Sequence, residues 1–173
     1  MLQLLRPWSY IGRALDWALA RVGSSVCLLD IEGNGANEEA VCLQDEFGIP
    51  TSAFCVDLTD EKAVEAAAEH VRQHHGRLDV LVNNAAYPVL TSHQDGKAIE
   101  QQTSEQRQPN VDVNLRGTFL ATRAFVPQLR PSKHGVIISI ASIYGVVGPD
   151  MRLYEGADMG NSAWYAAAKG GIV

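Results

Sequence analysis

Cysteine is scarce in this chain, aromatic residues are few, and neither charge forms a long run; each shortage closes a class of function. The three cysteines, Cys27, Cys42 and Cys55, are scattered with no C-x-x-C spacing. A disulfide framework is therefore not expected, and the thiols read as buried groups of a reducing compartment, the cytoplasm by default. Lys and Arg number 14 against 20 Asp and Glu, a net charge of −6. With no basic cluster, nucleic acid and anionic membrane are not expected partners. The opening MLQLLRPWSYIGR lacks the basic flank and long apolar run of a signal peptide. No segment reaches the roughly 18 apolar residues of a membrane span.

What is present is an ordinary globular composition, 46% hydrophobic and 20% charged over 173 residues, enough for one domain covering residues 1–173. Four short apolar runs read as strands buried on both faces: Ser25 to Asp30, Thr51 to Asp57, Leu78 to Ala86 and Gly135 to Ser142. Met1 to Leu4 can add a short central strand. Amphipathic stretches lie between the runs, at Tyr10 to Val22, Asn37 to Phe47, Asp60 to His75 and Val111 to Leu129, with Thr59 as the cap of the third. Glu38 and Glu39 are placed at the start of the second helix, where they complement its dipole. Strands alternating with helices predict an α/β fold, a doubly wound parallel sheet. Ligands of such sheets sit beyond the carboxyl ends of the strands, and Asp30, Asp57, Asn83 with Asn84, and Ser142 stand there. Any one of them alone is explained as a turn former.

Near the end of the chain, NSAWYAAAKGG places Tyr165 and Lys169 four residues apart, on one face of a helix. An ammonium held near a phenol favours the ionised phenol, which makes a proton donor or base. His70 and His74 share the same spacing, but with no third ligand they predict a solvated face and no metal site.

Four segments together resemble the short-chain dehydrogenase/reductase family: LDVLVNNAA, VNLRGTFLATRA, IISIASIYG and YAAAK. They follow the family's order and spacing over nearly the whole chain. The resemblance implies a Rossmann-like three-layer αβα domain, incomplete on its C-terminal side, that moves a hydride between a nicotinamide dinucleotide and an alcohol or ketone. Tyr165 would be the acid/base, Lys169 would lower its pKa and hold the nicotinamide ribose, Ser142 would orient the substrate oxygen, and Asn114 would fix a water leading to solvent. Lowering a tyrosine's pKa by about 3 units takes roughly 4 kcal/mol, of which the lysine supplies a part. Gly12, Ile11, Asp57, Leu58 and the stretch from Asn83 through Ala85 would line the cofactor cleft. Asp30, accepting both ribose hydroxyls and repelling a 2′-phosphate, favours NAD over NADP. A small-molecule substrate and a homo-oligomer through the 111–129 helix are implied as well.

Three features depart from the family pattern. Where the family has a glycine-rich phosphate loop, this chain has LRPWSYIG, keeping only Gly12 and placing Arg6, Pro7 and Trp8 in the loop. Family members are longer, so the chain reads as cut through the catalytic helix, which would leave the last strand an exposed apolar edge. Ser142 and Tyr165 stand 23 residues apart, farther than is common. The insert GPDMRLYEGADMGN between them resembles a subgroup of bacterial surface-sugar pathways, which implies a sugar or sugar-nucleotide substrate. The rival readings are a noncatalytic truncated fragment and a pairing module that binds no cofactor.

Overall fold

The computed structural model describes residues 2–4, 10–87, 99–156 and 160–173. They form two compact units, Met1–Ala85 with Phe119–Ser139, and Ala86–Thr118 with Ile140–Val173. The first unit is built on five strands: β1 (Leu2–Leu4), β2 (Val26–Asp30), β3 (Thr51–Cys55), β4 (Val80–Asn83) and β5 (Val136–Ser139). All pair in parallel, in the order β3-β2-β1-β4-β5. Leu4 lies opposite both Leu29 and Asn83. Parallel neighbours need crossover connections, and the helices α1 (Tyr10–Arg21), α2 (Gly33–Phe47), α3 (Glu61–His75) and α4 (Thr118–Leu129) serve here. This is the doubly wound sheet expected from the alternating pattern.

Strand β2 shows why its sequence, VCLLD, has no polar alternation. Val26 and Leu28 join Ala20 of α1 and Ala36, Ala40 and Leu43 of α2 in one core, whereas Cys27 and Leu29 point the other way. There they meet Val64, Ala67 and Val71 of α3 and Leu120 and Phe125 of α4. With helices on both faces, every residue of β2 is buried. Each fully buried Leu or Phe contributes roughly 1.5–3 kcal/mol. The edge strand β5 differs: Val136, Ile137 and Ile138 stay 46%, 42% and 41% exposed, the apolar edge that the sequence predicts.

Several local expectations are corrected. Helix α2 begins at Gly33 rather than Asn37, so Glu38 and Glu39 lie deeper in the helix than its first turn. Glu39 is buried and accepts hydrogen bonds from Trp17 Nε1 (2.6 Å) and Arg13 Nε (3.2 Å). The cap of α3 is Asp60, not Thr59: the Asp60 carboxylate accepts from the amides of Lys62 and Ala63, while the Thr59 hydroxyl donates to Asp57 Oδ1. A carboxylate at that position satisfies two orphan amides and complements the helix dipole. Of the cysteines only Cys27 is buried; Cys42 and Cys55 are exposed, and all three are free. Of the two histidines expected on a solvated face, His74 is exposed but His70 is half-buried against the Phe54 ring; the next residue, His75, is also half-buried, its Nε2 2.7 Å from Ser52 Oγ.

One buried group has no counterpart in the sequence reading. Asp16, on the inner face of α1, is fully buried, and neither carboxylate oxygen has a hydrogen-bond partner among the described residues. Burial, and then the charge of Glu39, pushes its carboxyl from 3.8 up to about 9. Asp16 is therefore neutral at pH 7.

Among its described residues the second unit carries a π-helical segment, Asn110–Gly117, four short 3₁₀ turns, Ile99–Gln101, Ser104–Gln106, Ile143–Gly145 and Met151–Tyr154, and helix α5 (Ala163–Gly170). The end of α5 packs tightly on the π-helical segment, for a Cβ at Gly171 would come 2.8 Å from Leu115 Cδ1. Wide π turns are rare and cluster at functional sites. No helix among the described residues is long and apolar enough to cross a membrane.

Candidate active site

Asn114, Ser142, Tyr165 and Lys169 all fall in the second unit. Helix α5 forms because AWYAAAKG is rich in alanine and its first turn is capped twice. Ser162 Oγ accepts from the Tyr165 amide at 3.0 Å, and Gln102 Oε1 accepts from the Ala163 amide at 2.9 Å. The Trp164 indole donates to the Thr103 carbonyl at 3.0 Å. These contacts fix the helix start, and the four-residue spacing then turns Tyr165 and Lys169 to the same side.

Lys169 is only 3% exposed. Its Nζ donates to the carbonyl of Ile140 at 2.6 Å and stands 5.8 Å from the centre of the Tyr165 ring. Burial lowers the lysine pKa below its ordinary value. The ammonium thus stands over the Tyr165 ring, a cation–π arrangement that is stronger where the cation is shielded from bulk water.

Ser142 caps the turn Ile143–Gly145, its Oγ accepting from the Tyr144 amide at 3.2 Å. A hydroxyl has one proton to give and two lone pairs to receive. With the amide filling an acceptor position, the proton is left for a donor role. The same turn lies directly against α5: a Cβ at Gly145 would come 2.7 Å from the backbone C and O of Lys169. Glycine at 145 is what allows the turn that begins at Ser142 to lie against the Lys169 backbone.

Asn114 is fully buried in the π-helical segment, where a solvent-facing asparagine would have been the ordinary outcome. Its Oδ1 accepts from the Tyr87 amide at 2.7 Å, its Nδ2 donates to Asn110 Oδ1 at 3.4 Å, and its carbonyl accepts from Thr118 Oγ1 at 2.8 Å. Its side chain thus ties the segment after β4 to the π-helical turn.

The residues expected at a dinucleotide lie in the first unit. Asp30, 2% exposed at the carboxyl end of β2, accepts from the Glu32 amide through Oδ1 at 2.8 Å. Asp57 is exposed and closes a turn by accepting from the Thr59 amide and hydroxyl, both at 2.8 Å. Leu58 is buried in the core and Ala85 is half-buried against it. Asn83 Nδ2 donates to Thr122 Oγ1 and Ser139 Oγ, each at 3.2 Å, so it braces β4 to α4 and β5. Gly12 is buried in the first turn of α1 and Ile11 is 56% exposed beside it. Arg6, Pro7 and Trp8 lie outside the described residues.

Residues 9–173 match the model of the short chain dehydrogenase family. The chain belongs to this family. Oxidoreductase UcpA of Salmonella typhimurium is 32% identical over 166 residues, which are 94% of this chain and 56% of that protein. The chain thus spans about half the length of the curated relatives it matches. An NAD⁺-bound xylitol dehydrogenase structure is 28% identical with a TM-score of 0.82, covering 99% of this chain and 59% of its own. An alcohol dehydrogenase from the archaeon Thermococcus sibiricus, complexed with 5-hydroxy-NADP, shares the fold at 22% identity and a TM-score of 0.81, over 98% of this chain and 66% of its own.

In this short-chain dehydrogenase chain the supports around the site were harder to see in the sequence than the site itself. Ser162 carried a signal, a serine immediately before an alanine-rich helix. Gln102, Thr103 and Ile140 carried none, since each acts through a contact with a residue 29 to 61 positions away. A dinucleotide fits what is present: a buried carboxylate at the end of β2 suits a ribose, and a side-chain-free position in the first turn of α1 suits a close phosphate. No group of three or more metal-ligating side chains occurs among the described residues.

Proposed function

We propose that this chain takes part in NAD-dependent oxidation of an alcohol, or reduction of a ketone, on a hydroxyl-rich substrate such as a sugar or sugar nucleotide. The observation that carries the reading is the buried Lys169, fixed to Ile140 and set 5.8 Å from the Tyr165 ring. Buried lysines are expensive, and one kept beside a phenol has a chemical use.

Tyr165 exchanges the proton with the substrate oxygen, Lys169 stabilises the phenol's negative charge when that proton leaves, and Ser142 donates its free hydroxyl proton to the same oxygen. The nicotinamide, when bound, accepts or supplies the hydride. Asp30 would hold the adenosine ribose by its hydroxyls and repel a 2′-phosphate, which supports NAD over NADP. Gly12 with Ile11, Asp57, and the backbone of Leu58, Asn83 and Ala85 would complete the binding surface. Asn114, by holding the π-helical turn, keeps the surroundings of the lysine in shape.

The substrate class rests on the long segment between Ser142 and Tyr165 and on likeness to a xylitol dehydrogenase, a polyol enzyme. Three free cysteines suit a reducing compartment, so we place the protein in the cytoplasm. Phe119, 59% exposed on α4, supports a homo-oligomer formed through the 111–129 stretch.

The test is absorbance at 340 nm with NAD⁺ and a panel of polyols and sugar nucleotides, run beside Tyr165→Phe. The reading expects turnover that falls about 10²- to 10⁴-fold in the variant. A cooperatively folded wild-type chain that reduces no NAD⁺ with any of these substrates contradicts it and favours a noncatalytic pairing module.

A further inference from the structure

The insert that separates Ser142 from Tyr165 contains a contact that the reaction itself does not require. Tyr144, in the turn after Ser142, and Tyr154, at the end of the turn Met151–Tyr154, bring their hydroxyl oxygens to 2.6 Å. That is a strong hydrogen bond by its length, and it raises the Tyr144 pKa above its ordinary value.

Apolar burial does not hold the loop between them, because Val146, Val147 and Leu153 are 72%, 52% and 74% exposed. Its other polar contacts are local: Asp150 accepts from the Arg152 amide and pairs with the Arg152 guanidinium. The phenol pair is therefore the long-range tie between the insert and the Ser142 turn among the described residues. That turn is backed on its other side by the Lys169 backbone at Gly145, and Ser142 Oγ is oriented by the Tyr144 amide. Tyr144 is thus held at both its ring and its amide, in the turn that carries Ser142.

We propose that the Tyr144–Tyr154 hydroxyl pair is a latch that fastens the insert across the turn carrying Ser142, making both tyrosines positioning residues for the Ser142 hydroxyl. The catalytic consequence rests on the function proposed above; the latch itself does not.

The test is amide hydrogen exchange, residue by residue, in wild type, Tyr154→Phe and Tyr144→Phe. Each substitution removes one hydroxyl and keeps the ring. The amides of Tyr144, Gly145, Val146 and Val147, which donate to Ser142 Oγ, the Ser142 carbonyl and the Ile143 carbonyl, should exchange about 2- to 10-fold faster in both variants, as expected for loss of one hydrogen bond. Protection in the core strands β2 and β4 should not change. Trypsin should cut after Arg152, 83% exposed at its side chain, faster by a similar factor. Wild-type exchange at these four amides in both variants overturns the latch.

Steady-state kinetics then reads the positioning role: kcat should fall several-fold with the NAD KM unchanged, and an unchanged kcat alongside faster exchange overturns that role. A wild-type chain without turnover rejects the proposed reaction and with it the positioning role, while the exchange rates still decide the latch.

Discussion

The Nζ of Lys169 donates to the main-chain carbonyl of Ile140 at 2.6 Å, so the cation of α5 is anchored to the residue that follows Ser139. One of its three protons is committed to a backbone acceptor, a contact that holds the ammonium on the side of Tyr165. Lys169→Met removes that donor and leaves a half-buried carbonyl unsatisfied, which costs about 1–3 kcal/mol. Urea melts of wild type and Lys169→Met check this, and a variant as stable as wild type would mean that the contact is not holding α5.

Asp16 makes the fold sensitive to alkali. Its folded-state pKa of about 9 lies above the ordinary 3.8, so between these values the folded chain holds a proton that the unfolded chain has lost. The contribution is fully present below about pH 4 and is lost as pH rises through about 9, at up to about 1.4 kcal/mol per pH unit. Wild type should therefore be less stable at pH 8.5 than at pH 5.5, and Asp16→Asn, which cannot ionise, should flatten most of that slope. Parallel pH profiles for the two proteins would show that Asp16 is not the source.

Gly145 and Gly148 give a matched pair of substitutions in one loop. A Cβ at Gly145 would come 2.7 Å from the Lys169 backbone, whereas one at Gly148 would meet nothing within 4 Å. Backbone atoms cannot yield as a side-chain tip can, so Gly145→Ala should destabilise by about 1–3 kcal/mol. Gly148→Ala should be neutral within about 0.5 kcal/mol. Equal melting temperatures for the two variants would contradict the close approach.

The exposed edge should govern solubility. Ile137 sits in the middle of β5, 42% exposed, between two equally apolar neighbours. A charge there blunts edge-to-edge pairing. Ile137→Lys should reduce light scattering during a thermal ramp without lowering the midpoint by more than about 1 kcal/mol equivalent. Scattering unchanged from wild type would place the aggregating surface elsewhere.

Much of this molecule could be read from one sequence, for identifiable reasons. Unbroken apolar runs such as VCLLD have one common explanation, a strand covered on both faces, and β2 has that surrounding. Tyr165 and Lys169 were legible because helical spacing is a local property. What escaped was whatever depends on partners distant in the chain. The burial of Glu39 follows from Trp17 and Arg13, and that of Asp16 from the fit of α1 against its neighbours, none of it encoded in a short window. The exposure of Cys42 and Cys55 is not legible in the sequence because cysteine is ordinarily a core residue, whereas Cys42 lies on the outer face of α2 and Cys55 ends a strand. The start of α2 was misplaced because Gly33 and Gly35 signal a turn in sequence and are tolerated in a first helical turn.

The central claim is that this chain, which has no glycine from Arg6 to Tyr10, binds an NAD-type dinucleotide at Asp30. The most direct measurement is a thermal melt followed by tryptophan fluorescence, with and without NAD⁺ or NADP⁺, in wild type and Asp30→Ala. At about 100 times its dissociation constant a ligand adds roughly 2.7 kcal/mol. The account predicts an upward shift with NAD⁺, a smaller one with NADP⁺, and loss of that preference in Asp30→Ala. A cooperative melt that neither dinucleotide moves would contradict it.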